Sequence, residues 1–296
     1  MSKKENTLKT ISSNLNSFSR RHIGIDQKVS AEMLKDIGFS KMDDFIQSIV
    51  PKNIYSPESL SVSSELSEEE ALRYIEEISK KNKVYKTYIG QGFYNSVTPA
   101  PILRNIFENP GWYTSYTPYQ PEIAQGRLEA LINYQTMICD LTGMEIANAS
   151  LLDEPTAAAE AMMLAKRQSK SKANLFIVDE QCLPQTINVL ETRAKPLGIE
   201  IKIGDPQKMQ DEEYFAALVQ YPGVDGVIRD FSDLVASSHK NEALVIFAAD
   251  ILALTLIKPP GEFGADIVIG SSQRFGVPIG FGGPHAAFMA TKESYK

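Results

Sequence analysis

Several residue types and patterns that mark particular classes of protein are scarce in this 296-residue chain. Its two cysteines, Cys139 and Cys182, lie far apart in sequence, which excludes a disulfide framework or C-x-x-C motif and suits a reducing compartment. Three histidines do not support a histidine-built metal site. No apolar run reaches membrane-spanning length. The net charge of −7, with no long run of one sign, argues against a nucleic-acid-binding surface.

The first residues allow two interpretations. Apolar residues recur at helical spacing, and acidic residues are few, as in an amphipathic transit peptide. These apolar residues are Leu8, Ile11, Leu15 and Phe18. A surface arm is the favoured alternative, because Lys3, Lys4 and Glu5 make a polar start and arginines come only at the end. We therefore expect a bacterial cytoplasmic protein rather than a mitochondrial one.

Residues 1–85 are predicted to form a mainly helical arm. Apolar spacing over residues 30–50 predicts two helices, with Ser30 as a cap and Pro51 as a stop. Ser67 and Glu70 have the spacing of a capping box at the start of a further helix. Residues 86–121 differ, because they are rich in tyrosine and proline. They predict an aromatic loop that lines a site, packs at an interface, or does both.

Residues 122–296 predict an α/β domain. A helix from residue 122 ends at Gly143, and another has Pro155 in its first turn. Continuous apolar strands then alternate with helices, which is typical of a mostly parallel sheet covered on both faces. The strands are expected at 174–179, 199–203, 216–222, 243–250, 265–272 and 285–291. Ligands of such sheets bind beyond the carboxyl ends of the strands.

Asp250 is a charged residue at the end of an apolar strand. It is either a turn former or a carboxylate that faces the ring nitrogen of a pyridoxal-phosphate cofactor. The helix start near Thr156 is a possible anion site, but Asp153 and Glu154 favour a self-capped helix. "GFGGP" (280–284) is interpreted as a backbone reversal rather than a phosphate loop.

The turn after residues 265–270 offers Ser271, Ser272, Gln273 and Arg274. A pyridoxal-phosphate enzyme needs a lysine amine that forms an imine with the cofactor. Neither the amide of Gln273 nor the guanidinium of Arg274 is such a nucleophile. The turn therefore lies where a catalytic lysine would stand but lacks one.

Long segments of the chain resemble the P-protein family of the glycine cleavage system. The matching segments include "RRHIG" (20–24), "YIGQGFYNS" (88–96), residues 109–154 and "KPPGEFGADIVIGSSQRFGVPIGFGGPHAAF" (258–288). The resemblance implies the fold of aspartate-aminotransferase-type pyridoxal-phosphate enzymes, an α/β fold with a three-layer, mostly parallel sheet. It covers nearly the whole chain from about residue 18 and implies the N-terminal half of the family's pseudo-dimer.

The resemblance also implies which half of the enzyme carries the cofactor. The C-terminal half or second subunit would carry pyridoxal 5'-phosphate on a lysine, and Gln273 would stand where that lysine is absent here. Asp250 would be a vestigial ring-nitrogen aspartate, and Leu183 replaces an expected histidine. The partners implied are that cofactor-bearing half, glycine and the lipoyl arm of the H-protein. The residues implied to face the partner's substrate channel are Tyr94, Asn95, Tyr116 and Tyr119.

Two alternatives remain open, and one further expectation concerns the C-terminus. The chain is either an enzyme component that is inactive alone or a pseudoenzyme that only binds a partner. An autonomous enzyme that uses Lys258 is disfavoured, because that lysine precedes the expected strand. The sequence stops at Lys296 soon after the last strand, which predicts truncation before a small C-terminal domain.

Overall fold

The computed structural model describes residues 18–22, 24–58, 60–64, 66–113, 117–280 and 285–296. The chain forms two compact units, Met1–Lys86 and Thr87–Lys296. Among the described residues, no helix is both long and apolar enough to cross a membrane.

The described part of the first unit is helical. Its helices are α1 (Phe18–His22), α2 (Gln27–Asp36), α3 (Met42–Ile49) and α4 (Glu68–Ser79). The predicted capping box of α4 is confirmed: the backbone N–H of Ser67 donates to Glu70, and that of Glu70 donates to Ser67 Oγ. Ser30 is not a cap. Asp26 caps α2 instead, because its carboxylate accepts from the Val29 N–H at 2.9 Å and leaves Ser30 inside the helix.

The second unit contains a seven-stranded sheet in the order β1-β7-β6-β5-β4-β2-β3. Its strands are β1 (Ile146–Ala147), β2 (Leu175–Asp179), β3 (Glu200–Gly204), β4 (Ala216–Tyr221), β5 (Leu244–Ala249), β6 (Ile267–Ser271) and β7 (Ala287–Thr291). Strands β2 to β6 pair in parallel, whereas β7 is antiparallel to both β6 and β1. The mostly parallel sheet is therefore confirmed, and only the two-residue β1 was not predicted.

Helices cover both faces of this sheet. The longer ones are α5 (Gln125–Thr142), α6 (Glu154–Gln168), α7 (Pro184–Ala194) and α8 (Ser232–Lys240). Neighbouring strand residues point to opposite faces: Leu218 packs in one core with α6 and α7, and Val219 packs in a second core with α5 and α8. Alanines such as Ala158 and Ala161 let α6 lie close to the strands. The result is the predicted three-layer α/β arrangement.

The composition of residues 86–121 predicts a loop, but the structure shows helical turns there. These residues form several short helical segments, at Ala100–Ile102, Leu103–Phe107, Pro110–Tyr113 and Pro121–Ile123. Prolines at or near the first positions explain these turns, because their fixed φ suits the start of a helix. Ser96 Oγ donates to the Val277 carbonyl at 2.6 Å, and Thr98 Oγ1 donates to the Gly276 carbonyl. These bonds attach the aromatic segment to the turn after β6.

Further short helical turns connect the larger elements. They are Lys195–Leu197, Pro206–Lys208, Ala253–Thr255, Pro260–Phe263, Ser272–Phe275 and Glu293–Tyr295. The turn at Ser272–Phe275 directly follows β6, and its conformation decides where Gln273 and Arg274 lie.

Gly270 in β6 packs closely against the neighbouring strands. A Cβ at this position would lie 2.3 Å from the Ala249 carbonyl oxygen and 2.7 Å from the Phe288 ring. Gly270→Ala is therefore expected to lower the free energy of unfolding by about 3 kcal/mol. Gly126 in α5 is the matched control, since a Cβ there has open space. Gly126→Ala should raise stability by about 0.5 to 1 kcal/mol. Urea unfolding measures both, and equal stability of the two variants would contradict the packing described.

Candidate functional site

A cavity of about 210 Å³ opens at the carboxyl ends of the central strands. Gln220 near the end of β4, Asp250 just after β5, and Gln273 just after β6 line it. Glu154, the first residue of α6, and Tyr94 from the aromatic segment complete its polar lining with Arg274. The cavity lies where ligands of parallel α/β sheets bind.

Asp250 and Arg274 form a bidentate ion pair in this cavity. Arg274 Nη2 donates to Oδ2 of Asp250 at 2.7 Å, and Nε donates to Oδ1 at 3.2 Å. The guanidinium carbon also lies 4.1 Å from the centroid of the Tyr94 ring. Asp250 additionally accepts from the Leu252 N–H at 3.1 Å, so it also forms the turn that was one of its two predicted roles. Planar, bidentate pairs of this kind fix both partners in place.

Gln273 is held by the backbone around it. Its side chain is buried, and Nε2 donates to the Val277 carbonyl at 2.7 Å, with the Tyr94 carbonyl and Ser96 Oγ each 3.4 Å away. The residue that stands at the end of β6 is therefore an amide that anchors the aromatic segment.

The carboxyl group of Glu154, in the first turn of α6, has an unusually high pKa. Burial, together with the nearby charges of Asp250 and Asp153, raises its pKa to about 7, although a hydrogen bond with Gln220 acts in the opposite direction. Oε1 of Glu154 and Oε1 of Gln220 are both buried and have no hydrogen-bond partner among the described residues. The cavity thus contains two hydrogen-bond acceptors that no described residue satisfies.

The start of α6 is self-capped, as predicted. Asp153 Oδ1 accepts from the Thr156 N–H at 2.8 Å, and the Asp153 N–H donates to Thr156 Oγ1 at 3.2 Å. A negative ligand would meet the carboxylates of Asp153 and Glu154 at this terminus. The helix start is therefore unsuited to a phosphate group.

The residues of this cavity do not fit pyridoxal phosphate. Gln273 supplies no amine, and Asp250 is already engaged by Arg274 rather than open to a pyridine ring. Leu183, in place of the expected histidine, lines the cavity with an apolar side chain. Lys258 does not line it, because its Nζ lies over the Phe263 ring, 4.3 Å from the centroid. No chemistry through this cofactor follows from the described residues.

The residues predicted to face a substrate channel do not form one cluster. Tyr94 lines the cavity at the strand ends, and Asn95 is exposed. Tyr119, which is 79% exposed, lines a different depression of about 630 Å³ with Trp112 and Arg127. Tyr116 lies outside the described residues.

Sequence reasoning missed the two buried acceptors and the partner of Asp250. Gln220 carried a usable signal, because it is a polar residue within the otherwise apolar run "AALVQYP". From the sequence, Glu154 indicates only a negative charge that disfavours phosphate binding at the start of α6. Arg274 was considered only as a failed nucleophile, and nothing in its local sequence indicates its pairing with Asp250.

Residues 20–296 of the chain match the family described as "Glycine cleavage system P-protein". The chain is 58% identical over 283 residues to a "Glycine dehydrogenase (decarboxylating)" of Nostoc sp., covering 95% of this chain and 29% of that relative. The enzyme of the same name from Agrobacterium fabrum is 55% identical over 279 residues, with 94% and 29% covered. The chain therefore spans less than a third of the length of these curated relatives.

A solved structure has the same fold over most of the chain. It is a crystal structure of glycine decarboxylase (P-protein) of the glycine cleavage system in inhibitor-bound form. The match has a TM-score of 0.83 at 33% identity, and it covers 93% of this chain and 63% of the other. This similarity confirms the predicted fold class.

The raised pKa of Glu154 predicts a distinctive pH dependence of stability. A carboxyl pKa raised from 4.5 to about 7 on folding contributes stability below pH 4.5 that is lost as the pH rises through 7. Glu154→Gln should therefore leave stability unchanged near pH 4.5 and raise it by up to about 3 kcal/mol well above pH 7.

Urea unfolding of the wild type and the variant at both pH values measures this difference. Glu129→Gln, at an exposed position of α5, is the control and should show no such pH dependence. If Glu154→Gln behaves like the control, the carboxyl is not buried as described.

Proposed function

The chain belongs to the glycine cleavage system P-protein family, and we propose that it is the lysine-less N-terminal part of a glycine decarboxylase. The observation that carries the proposal is Gln273, a buried amide at the end of β6 in a chain that otherwise matches the family over residues 20–296. In this proposal the pyridoxal 5'-phosphate lysine belongs to the C-terminal half or to a second subunit. The division is into an arm (1–85), an interface segment (86–121) and a large domain (122–296).

The reaction proposed for the assembled enzyme is the decarboxylation of glycine and transfer of its aminomethyl group to the lipoyl arm of the H-protein. Pyridoxal phosphate on the partner half would supply the electron sink for the loss of carbon dioxide. This chain would supply structure around that site rather than a nucleophile. The relatives named above are bacterial, which supports a bacterial cytoplasmic location.

The aromatic segment supports a role at the interface with the cofactor-bearing half. Large apolar side chains are exposed along it, including Tyr88, Val97 and Tyr119 at 79% to 89%. Contiguous exposed apolar surface is typical of protein–protein contacts, and tyrosine adds a hydroxyl to a rigid apolar face. We infer that Tyr94, Asn95, Tyr116 and Tyr119 face the partner's substrate channel or the surface around it.

A pseudoenzyme that binds a partner without supporting turnover is the second candidate. The pairing of Asp250 with Arg274 and the apolar Leu183 favour it, because both remove features that a cofactor site would retain. The two candidates differ in one measurable respect. An enzyme component restores glycine decarboxylation and aminomethyl transfer when it is combined with the lysine-bearing half, whereas a pseudoenzyme associates with that half and leaves it inactive.

Borohydride labelling tests where the cofactor is held. This chain, joined to or mixed with the lysine-bearing half, is loaded with pyridoxal phosphate, reduced and digested, and the pyridoxyl-labelled peptide is identified. We expect one stoichiometric label, on a lysine outside residues 1–296, and no label on this chain when it is treated alone. The reason is that no lysine lines the cavity at the strand ends among the described residues. A stoichiometric label on Lys258 or on any other lysine of this chain would overturn the proposal.

A further inference from the structure

The cavity at the strand ends contains two buried hydrogen-bond acceptors that the described protein does not satisfy. Gln220 is 6% exposed, and its Oε1 has no donor. Oε1 of Glu154, which lines the same cavity, is also buried without a donor. Leaving a buried polar atom unpaired lowers the stability of the folded state. Two such atoms in one cavity suit a ligand that carries N–H or O–H groups.

The charged side chains of the cavity favour a positive donor. Among the described lining residues, the charged ones are Glu154, Asp250 and Arg274. Arg274 is committed to Asp250 through two hydrogen bonds, so it does not neutralise Glu154. When Glu154 is ionised, this set carries a net charge of −1. A cation with several N–H donors would satisfy the charge and both acceptors together.

The size of the cavity limits the ligand. A volume of about 210 Å³ corresponds to the space of about seven water molecules. The part of a ligand that lies inside the cavity is therefore small. A primary ammonium group fits this description, because it is compact and has three N–H donors, as the lysine ammonium does.

We propose that this cavity binds the ammonium group of a small primary amine or amino acid, with Glu154 and Gln220 as the hydrogen-bond acceptors. The proposal goes beyond the decarboxylase role, because it concerns a ligand held by this chain alone. The ammonium group is the chemistry that a simple amine and an amino acid share. Nη1 of Arg274 takes no part in the ion pair with Asp250, so it is available to the carboxylate of an amino acid.

Binding to the purified chain is measured by calorimetry with three probes: methylammonium, glycine and acetate. The proposal expects saturable binding of methylammonium, glycine or both, and none of acetate. Tighter binding of glycine than of methylammonium would indicate an amino acid whose carboxylate contacts Arg274. Tighter binding of methylammonium would indicate that the ligand is a simple amine. Saturable binding of acetate alone, or of none of the three probes, would overturn the proposal.

Variants then test the assigned residues. Glu154→Gln should weaken binding of the ammonium group by about tenfold or more. The substitution removes the negative charge, and the substituted side-chain amide can itself donate to Gln220. Gln220→Met should also weaken binding, and the exposed Glu129→Gln should not. Chemical unfolding confirms that each variant is folded. Unchanged affinity in Glu154→Gln would overturn the proposal even if the wild type binds amines. The borohydride experiment is independent of this result, because it follows a lysine rather than an amine ligand.

Proton release gives a readout that a merely structural role for Glu154 would not produce. The groups around Glu154 are Asp153, Asp250, Gln220 and the buried thiol of Cys182, and Arg274 lines the same cavity. The raised pKa of Glu154 leaves part of the carboxyls protonated near pH 7, and a bound cation should displace that proton. Calorimetry of methylammonium in two buffers with different ionisation enthalpies measures this release. Proton release from the wild type but not from Glu154→Gln is expected, and equal release from both would contradict the assignment.

Discussion

The parallel register of β4, β5 and β6 is the constraint on which the candidate site depends. Tyr221 pairs with Ala249, and Ala248 pairs with Ile269, so the three strands end at one edge of the sheet. Gln220, Asp250 and the turn that follows Ser271 are brought together only by this pairing. The strands themselves are held by apolar cores on both faces, which lets the edge carry polar and charged groups without being the source of stability.

Within that frame, two side chains decide what the cavity accepts. Arg274 neutralises Asp250, and Gln273 donates its amide to the Val277 carbonyl. Both interactions stabilise the turn after β6 and the aromatic segment that is attached to it through Ser96 and Thr98. The lining of this cavity thereby positions a surface segment, and the unpaired acceptors among its described residues lie on Glu154 and Gln220.

The features that the sequence predicted well are those determined by local patterns. Apolar runs such as "ALVIFAAD" indicated the central strands, the spacing of Ser67 and Glu70 indicated a capping box, and Gly143 indicated the end of α5. The resemblance of long segments to a known family supplied the fold. The helical turns within 86–121 were missed because composition alone does not separate a proline-rich loop from short helices.

The features that could not be predicted depend on contacts distant in sequence. Asp250 and Arg274 are 24 residues apart, and their pairing requires both the register of β5 with β6 and the turn at Ser272–Phe275. The raised pKa of Glu154 arises from burial in the cavity and from the charge of Asp250, which is distant in sequence. Tyr94 and Tyr119 lie in the same aromatic segment, and both are predicted to face a substrate channel. In the structure they line different depressions.

The central claim is that the Asp250–Arg274 ion pair, together with the missing amine, closes this cavity to pyridoxal phosphate. Gln273→Lys restores an amine, and Gln273→Lys combined with Arg274→Ala also releases Asp250. Pyridoxal phosphate is added to each variant, and borohydride reduction followed by peptide mapping measures the label at position 273. The account predicts more labelling at 273 in the double variant than in the single variant. Equal, stoichiometric labelling of the single variant would contradict it, because the ion pair would then be no barrier to the cofactor.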